Sequence, residues 1–260
     1  MDIFWNAPPV SRTYAAAAFI VSVLGYTGFI PLMPLVFIKP LVLKLPPQIW
    51  RVVTAFLITG DKFGIIFDPY MLYTYGSQLE VGSSRFSRPG DFFTYLVFLC
   101  TVIAATAGFY LEAWRFIDAV TLAFAYTFAQ DNPRKKVSIF ILTFEARWLP
   151  YALLTFTFVM ASPYQAMIQA TGLIAAHLYD FLTRIWPEFG GGRNIVFTPR
   201  FVGRWFGAEI AGRPITRGYG TAYTPQTAET RPRGAGWSSG WEIPGTTWGN
   251  RGPGRRLGGE

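Results

Sequence analysis

The sequence predicts an all-α membrane protein, a helical bundle of six spans followed by a long polar tail. Three observations carry that prediction. Of 260 residues, 51% are hydrophobic and 18% aromatic while only 15% are charged, and the mean hydropathy is +0.28, a balance rare in soluble domains. Apolar runs of spanning length alternate with short polar connectors up to about residue 190. Near "WPEFGGGRN" the composition then shifts to Gly, Pro, Ser, Thr and Arg with no periodic apolar face. Such a segment buries too little apolar surface to offset its ordering entropy. The expected organisation is therefore a transmembrane domain over 1–190 and a mostly disordered tail over 191–260.

The first span is expected from about Tyr14 to Phe37, bent by Pro31 and Pro34. In the connector that follows, Leu45, Ile49, Val52, Val53 and Phe56 fall at helical spacing, which predicts a helix lying in the membrane interface. Trp50 and Arg51 suit that depth, because an indole prefers the headgroup level and a guanidinium binds phosphate. The second span, Phe63 to Gly76, reads as short and polar, with Asp68, Pro69, Tyr70, Tyr73 and Tyr75. The third, Phe92 to Leu111, is uninterrupted, and the fourth runs from Arg115 to about Gln130. The fifth follows "NPRKKVSIFILTFEARW" and covers Trp148 to Ala161, about 21 Å of helix against a hydrocarbon core of about 30 Å. The sixth runs from Gln165 to about Trp186. Spans this short are relieved by local thinning of the bilayer or by shielding from neighbouring helices, and both readings stand.

Six spans put both termini on one side. Connectors on that side carry Arg12, Arg85, Arg88, Arg134, Lys135, Lys136, Arg184 and Arg193. The other side carries Lys39, Lys44, Arg51 and Lys62 in one long loop, then Arg115. The bias predicts cytosolic termini and a lumenal interfacial loop. Most of the net charge of +8 lies after Pro187, where ten arginines face five glutamates, so it reads as cytosolic charge rather than a nucleic-acid footprint. In "NIVFTPRFVGRWFG" the aromatic residues beside Arg200 and Arg204 suit either an anionic leaflet or a plain linker. Cys100 is the only cysteine, so an intrachain disulfide is excluded.

Candidate chemistry centres on "ATGLIAAHLYDFL", which holds the only histidine, His177, three residues before Asp180. Ionisable groups inside a span default to a functional hypothesis, here a polar cavity around His177 and Asp180. A general base without a nucleophile cannot run acyl transfer. No cation flanks Cys100 to lower its pKa, which argues against a cysteine nucleophile. No metal ligand or cofactor is expected. Gly172 and Ala176, four apart, form a small-xxx-small face that permits close helix packing.

The pair Trp50-Arg51 in "QIWR" resembles the Trp-Arg motif of the Derlin family, the rhomboid-like pseudoproteases of the endoplasmic reticulum. "PPVSRTY", "PYMLYTYGSQLE", "RPGDFF", "NPRKKVSIF", "WLPYALLTF" and "GLIAAHLYDFL" fall in the same order as their Derlin counterparts, over about residues 4–190. The resemblance implies a six-span rhomboid-like core in the endoplasmic-reticulum membrane, with both termini cytosolic. Rhomboid proteases pair a serine in a Gly-x-Ser-Gly turn of the fourth span with a histidine in the sixth. The fourth span here, "RFIDAVTLAFAYTFA", has no serine or glycine, only Thr121 and Thr127, so the resemblance implies no catalytic residue. It also implies that Gly172 and Ala176 stand where the family has a Gly-x-x-x-Gly motif, with Ala176 replacing the second glycine. In the tail, "GPGRRLG" resembles the SHP box, which docks on the AAA ATPase known as valosin-containing protein. Gly252, Gly254, Leu257 and Gly258 fit that pattern around Arg256, while Asn250 holds the aromatic position and Trp248 lies two residues early.

The function these resemblances imply is non-catalytic assistance to endoplasmic-reticulum-associated degradation. The chain would help misfolded lumenal or membrane proteins reach the cytosol beside a membrane RING-type ubiquitin ligase. It would do so through a lateral polar cavity, a thinned bilayer and the recruited ATPase. Its partners would be these proteins, the misfolded clients and membrane lipids, with no nucleic acid. The alternatives are an intramembrane protease with an unrecognised nucleophile and a passive membrane scaffold.

Overall fold

The computed structural model describes residues 5, 7–88, 90–139, 142–189, 196–206, 215–217 and 220–222. Among them are six helices of twelve residues or more: α1 (Pro9–Tyr26), α2 (Gly64–Gly82), α3 (Asp91–Ile103), α4 (Ile117–Asp131), α5 (Leu149–Met160) and α6 (Pro163–Asp180). Helix α3 continues as a π-helical stretch, Ala104–Tyr110, and α6 as another, Phe181–Ile185. A short helix, α7 (Arg200–Trp205), follows in the same compact unit, which extends to Glu209. One continuous helix among the described residues, Asp91–Tyr110, is by itself long and apolar enough to cross a membrane, with 20 residues at mean hydropathy 2.0.

Helix α4 is the centre of the bundle: it buries residues on every side, as a helix enclosed by others does. Ile117, Val120, Leu122, Phe124 and Phe128 are all buried. Ala119, Ala123 and Ala125 are buried as well, and their small side chains let neighbours approach. Tyr75 of α2 packs on Phe128 at 5.3 Å between ring centroids, and Phe92 of α3 on Phe124 at 5.3 Å. Helix α6 makes the tightest approach of all. A Cβ added at Gly172 would lie 1.8 Å from the Ala119 carbonyl oxygen and 2.6 Å from its carbonyl carbon. Only a hydrogen fits there, and Ala176, one turn further, is buried beside the same seam.

Helix α1 starts without a side-chain cap of its own, after Pro8. Glu80 of α2 supplies one across the bundle: its carboxylate accepts from the Val10 N–H at 3.0 Å, the Ser11 N–H at 2.8 Å and the Ser11 hydroxyl at 2.7 Å. A carboxylate at a helix N-terminus satisfies orphan donors and complements the helix dipole. This explains why α2 runs to Gly82 rather than ending near Gly76. The polar residues that suggested an early end are used inside the fold, Glu80 as this cap and Gln78 as the acceptor of the Lys135 ammonium at 2.6 Å.

Other boundaries also differ from expectation. Helix α1 stops at Tyr26, and Gly28 adopts a positive φ of 83°, so Pro31 and Pro34 lie beyond the helix rather than bending it. The interfacial helix is two short pieces, Lys39–Leu43 and Trp50–Thr54. The architecture is not wholly α. Lys136–Ile139 and Leu142–Glu145 pair antiparallel, with Val137 opposite Phe144, because the alternation of β-favouring and polar residues suits a pleated ribbon. The apolar "VSIFIL" therefore does not extend α5, which remains at 12 residues. A second antiparallel pair, Ile215–Arg217 with Gly220–Ala222, lies in the C-terminal unit.

Gly172→Ala is expected to destabilise the detergent-purified protein by about 1–3 kcal/mol through overpacking, read as a lowered thermal midpoint. Gly82→Ala, where an added Cβ meets nothing within 4 Å, should leave it unchanged. Equal midpoints for the two variants, read by thermal size-exclusion, would contradict the close α4–α6 contact.

Candidate functional site

Polar groups gather where α2, α4 and α6 begin and α5 ends. Asp68, one turn into α2, is buried, and its Oδ2 accepts the Gly60 N–H at 2.7 Å. Arg115, just before α4, lies over the Trp114 ring at 5.1 Å and pairs through Nη2 with Asp118 Oδ2 at 3.3 Å. The same Asp118 oxygen accepts from Gln165 Nε2 at 2.5 Å, which ties α6 to α4. Thr121 and Gln169, each 5% exposed, continue the polar surface one turn deeper.

These side chains border a cavity of about 480 Å³ whose apolar wall includes Phe67, Leu153 and Phe156. Four buried polar atoms on its lining have no partner among the described residues: Arg115 Nε and Nη1, Thr121 Oγ1 and Gln169 Oε1. Leaving such a group unmatched costs about 1–3 kcal/mol. The set combines guanidinium donors with an amide acceptor and a hydroxyl, so it matches the donor and acceptor of a peptide group.

A second cavity, of about 580 Å³, lies toward the opposite ends of α4 and α6 and is bordered by Tyr126, Gln130, Arg147, Tyr151 and His177. His177 is exposed, and its Nδ1 is 3.1 Å from the Tyr126 hydroxyl. Asp180 faces elsewhere. Its carboxylate takes Arg85 Nη1 at 2.6 Å and Arg184 Nη1 at 3.4 Å, while Arg85 Nε reaches Asp131 at 2.5 Å. Through Arg85, Asp180 is thus half of a bridge between the ends of α4 and α6, while His177 bonds to Tyr126.

Trp50 and Arg51 are adjacent in sequence but point to opposite sides. Trp50 is exposed with Leu45, Ile49 and Val53, whereas Arg51 is buried. The Arg51 guanidinium donates to the Gln48 side chain at 2.5 Å and to the carbonyls of Met33 at 2.5 Å and Val36 at 2.9 Å, so it holds the loop together instead of facing headgroups. Among the described residues, no group of three or more His, Cys, Asp and Glu is placed to hold a metal. Trp248, Gly252, Gly254, Arg256, Leu257 and Gly258 lie outside the described residues.

Sequence reasoning noticed Asp68 but missed Arg115, Asp118, Gln165 and Gln169 as a set. A signal for them exists. Gln165, Gln169, Gly172 and Ala176 are spaced four, three and four apart, so they form one polar-to-small stripe on α6.

The Der1-like family model matches residues 7–200. Derlin-1 of Homo sapiens is 29% identical over 247 residues, which cover 92% of this chain and 94% of that protein. Derlin-1 of Arabidopsis thaliana is 31% identical over 233 residues, 84% of each chain. Derlin-2 of Oryza sativa subsp. japonica is 30% identical over 227 residues, 82% of this chain and 89% of that protein.

Removing Arg85 strands the Asp131 and Asp180 carboxylates, so Arg85→Leu is expected to destabilise the protein by about 3–5 kcal/mol. His177→Ala, at an exposed position, should cost about 1 kcal/mol or less. Comparing thermal midpoints of the two variants checks the assignment, and a larger loss for His177→Ala would reverse it.

Proposed function

The chain belongs to the Der1-like family, and from that membership we propose that it is a non-catalytic component of endoplasmic-reticulum-associated degradation. It resides in the endoplasmic-reticulum membrane with α1 to α6 as six spans in a rhomboid-like bundle and both termini cytosolic. In that orientation the starts of α2, α4 and α6 face the lumen. The cavity at those ends accepts polar segments of misfolded proteins on their way to the cytosol.

The single observation that carries this reading is the lining of that cavity. Thr121 Oγ1, Gln169 Oε1 and two Arg115 nitrogens hold hydrogen-bonding capacity that the fold does not use. A group retained at a cost to stability is explained when a bound segment completes it. Two further features support the mechanism. Helix α5 offers 12 residues, about 18 Å at the standard rise, beside a hydrocarbon core of about 30 Å, which favours a thinned bilayer there. The exposed row Leu45, Ile49, Trp50 and Val53 suits insertion at the lumenal interface.

Transmission to the cytosol is assigned to the tail. Gly252, Gly254, Leu257 and Gly258 recruit an AAA ATPase of the valosin-containing protein family, and the bundle sits beside a membrane RING-type ubiquitin ligase. Gly172 and Ala176 set the α4–α6 spacing that keeps the cavity in shape. His177, bonded to Tyr126, has a packing role rather than a catalytic one.

Thr121→Val with Gln169→Leu removes unmatched polar atoms while keeping side-chain volume close. The double variant is expected to match or exceed wild-type thermal stability yet slow degradation of a misfolded lumenal reporter several-fold. Unchanged degradation in cells dependent on this chain would remove the cavity from the mechanism. Separately, deleting 251–258 should abolish co-purification of the ATPase while leaving the bundle intact, and undiminished recovery would overturn the tail assignment.

A further inference from the structure

A different cavity, of about 1100 Å³, opens beside the connector between α2 and α3, where Arg85, Arg88, Arg184 and Arg200 border it together. The fold brings Arg200 there by docking α7 on the start of α3. Gly90, at a φ of 89°, leaves no room for a Cβ, which would lie 2.9 Å from Val202 Cγ1. Phe206 packs on Phe93 at 5.8 Å between ring centroids, and the Thr198 hydroxyl donates to Asp91.

The carboxylates nearby are committed. Asp131 and Asp180 hold Arg85, and Asp91 accepts from Thr198 and, at 3.0 Å, from the Arg88 backbone N–H. Arg184 has one carboxylate contact, the 3.4 Å approach to Asp180, which Arg85 already occupies at 2.6 Å. Arg88 and Arg200 are exposed, and neither guanidinium meets a carboxylate among the described residues. Arg88, Arg184 and Arg200 therefore border one concavity with guanidinium groups that no close carboxylate saturates, and Ser84 and Ser87 border it as well.

We propose that this cavity binds a phosphate-bearing anion, supplied by the headgroup of an acidic phospholipid in the adjacent leaflet. Guanidinium groups match the oxygens of a phosphate with paired donors, and several of them exceed what one carboxylate would require. The source follows from the rim. Phe197, Phe201 and Trp205 are strongly exposed, and Phe197 itself borders the cavity. Aromatic side chains interleaved with arginine suit the membrane surface, where acyl chains and headgroup meet the same segment. The location at the bilayer surface rests on the six-span reading, whereas lipid retention by the purified protein is measured independently of client degradation.

The test uses full-length protein in mixed micelles supplied with equal phosphatidylinositol and phosphatidylcholine, with bound lipid counted by native mass spectrometry. Wild type is expected to retain phosphatidylinositol selectively. Arg88→Gln with Arg200→Gln should lower that retention roughly thirtyfold with an unchanged thermal midpoint. Lys44→Gln, in the connector after α1, should change nothing. A parallel arm adds inorganic phosphate without lipid. If phosphate raises the thermal midpoint of wild type but not of the double variant, while lipid retention does not discriminate, the anion is free phosphate. No difference between wild type and the double variant in either arm overturns the site.

Discussion

The contact between Gly172 and the Ala119 carbonyl is the constraint from which most of the bundle follows. With a Cβ position 1.8 Å from that oxygen, α6 and α4 approach as backbones rather than through side chains. Pairings along the seam ascend in step: Asp118 with Gln165, Ala119 with Gly172, Tyr126 with His177, and then Asp131 and Asp180 sharing Arg85. The two helices thus run in the same direction, and each end of the seam closes on a charged group. Widening it by one methyl would shift both polar ends together.

Those ends are alike in physics and unlike in completeness. At the Arg85 end, the guanidinium is shared by two carboxylates and Ser83 donates to Asp131 at 2.5 Å, so the network is largely satisfied. Buried ion clusters of this kind mainly fix which arrangement forms. At the Arg115 end, one guanidinium nitrogen pairs with Asp118 while two others, together with Thr121 and Gln169, remain unmatched. A largely satisfied brace and an incompletely matched polar cluster thereby occupy opposite ends of one helix pair.

Much of this was legible in the residues. Each apolar run contains one of the six helices of twelve residues or more among the described residues, and one of these, continued to Tyr110, is by itself long and apolar enough to cross a membrane. Gly172 and Ala176 stood out in the sequence as small residues four apart, and in the fold Gly172 lies against the Ala119 carbonyl while Ala176 is buried. The errors share a cause. Glu80 and Gln78 read as the polar end of a span, and "VSIFIL" as more helix, because sequence shows polarity but not the partner that uses it. Glu80 caps α1 and Gln78 receives Lys135, so α2 continues past both.

What the sequence by itself determined was a mostly helical architecture and the order of its helices. Local periodicity and composition suffice for these, because each depends on neighbours within a few turns. Only the tertiary structure decided where the ionisable groups point. Arg51 turned inward beside an exposed Trp50, Asp180 paired with Arg85, and Arg115, Asp68 and Gln169 came from three separate elements to line one cavity. The reason is that a buried polar side chain goes to the groups that satisfy it, and several of these, Asp180 for Arg85 or the Met33 and Val36 carbonyls for Arg51, lie outside the local window that sequence periodicity reads.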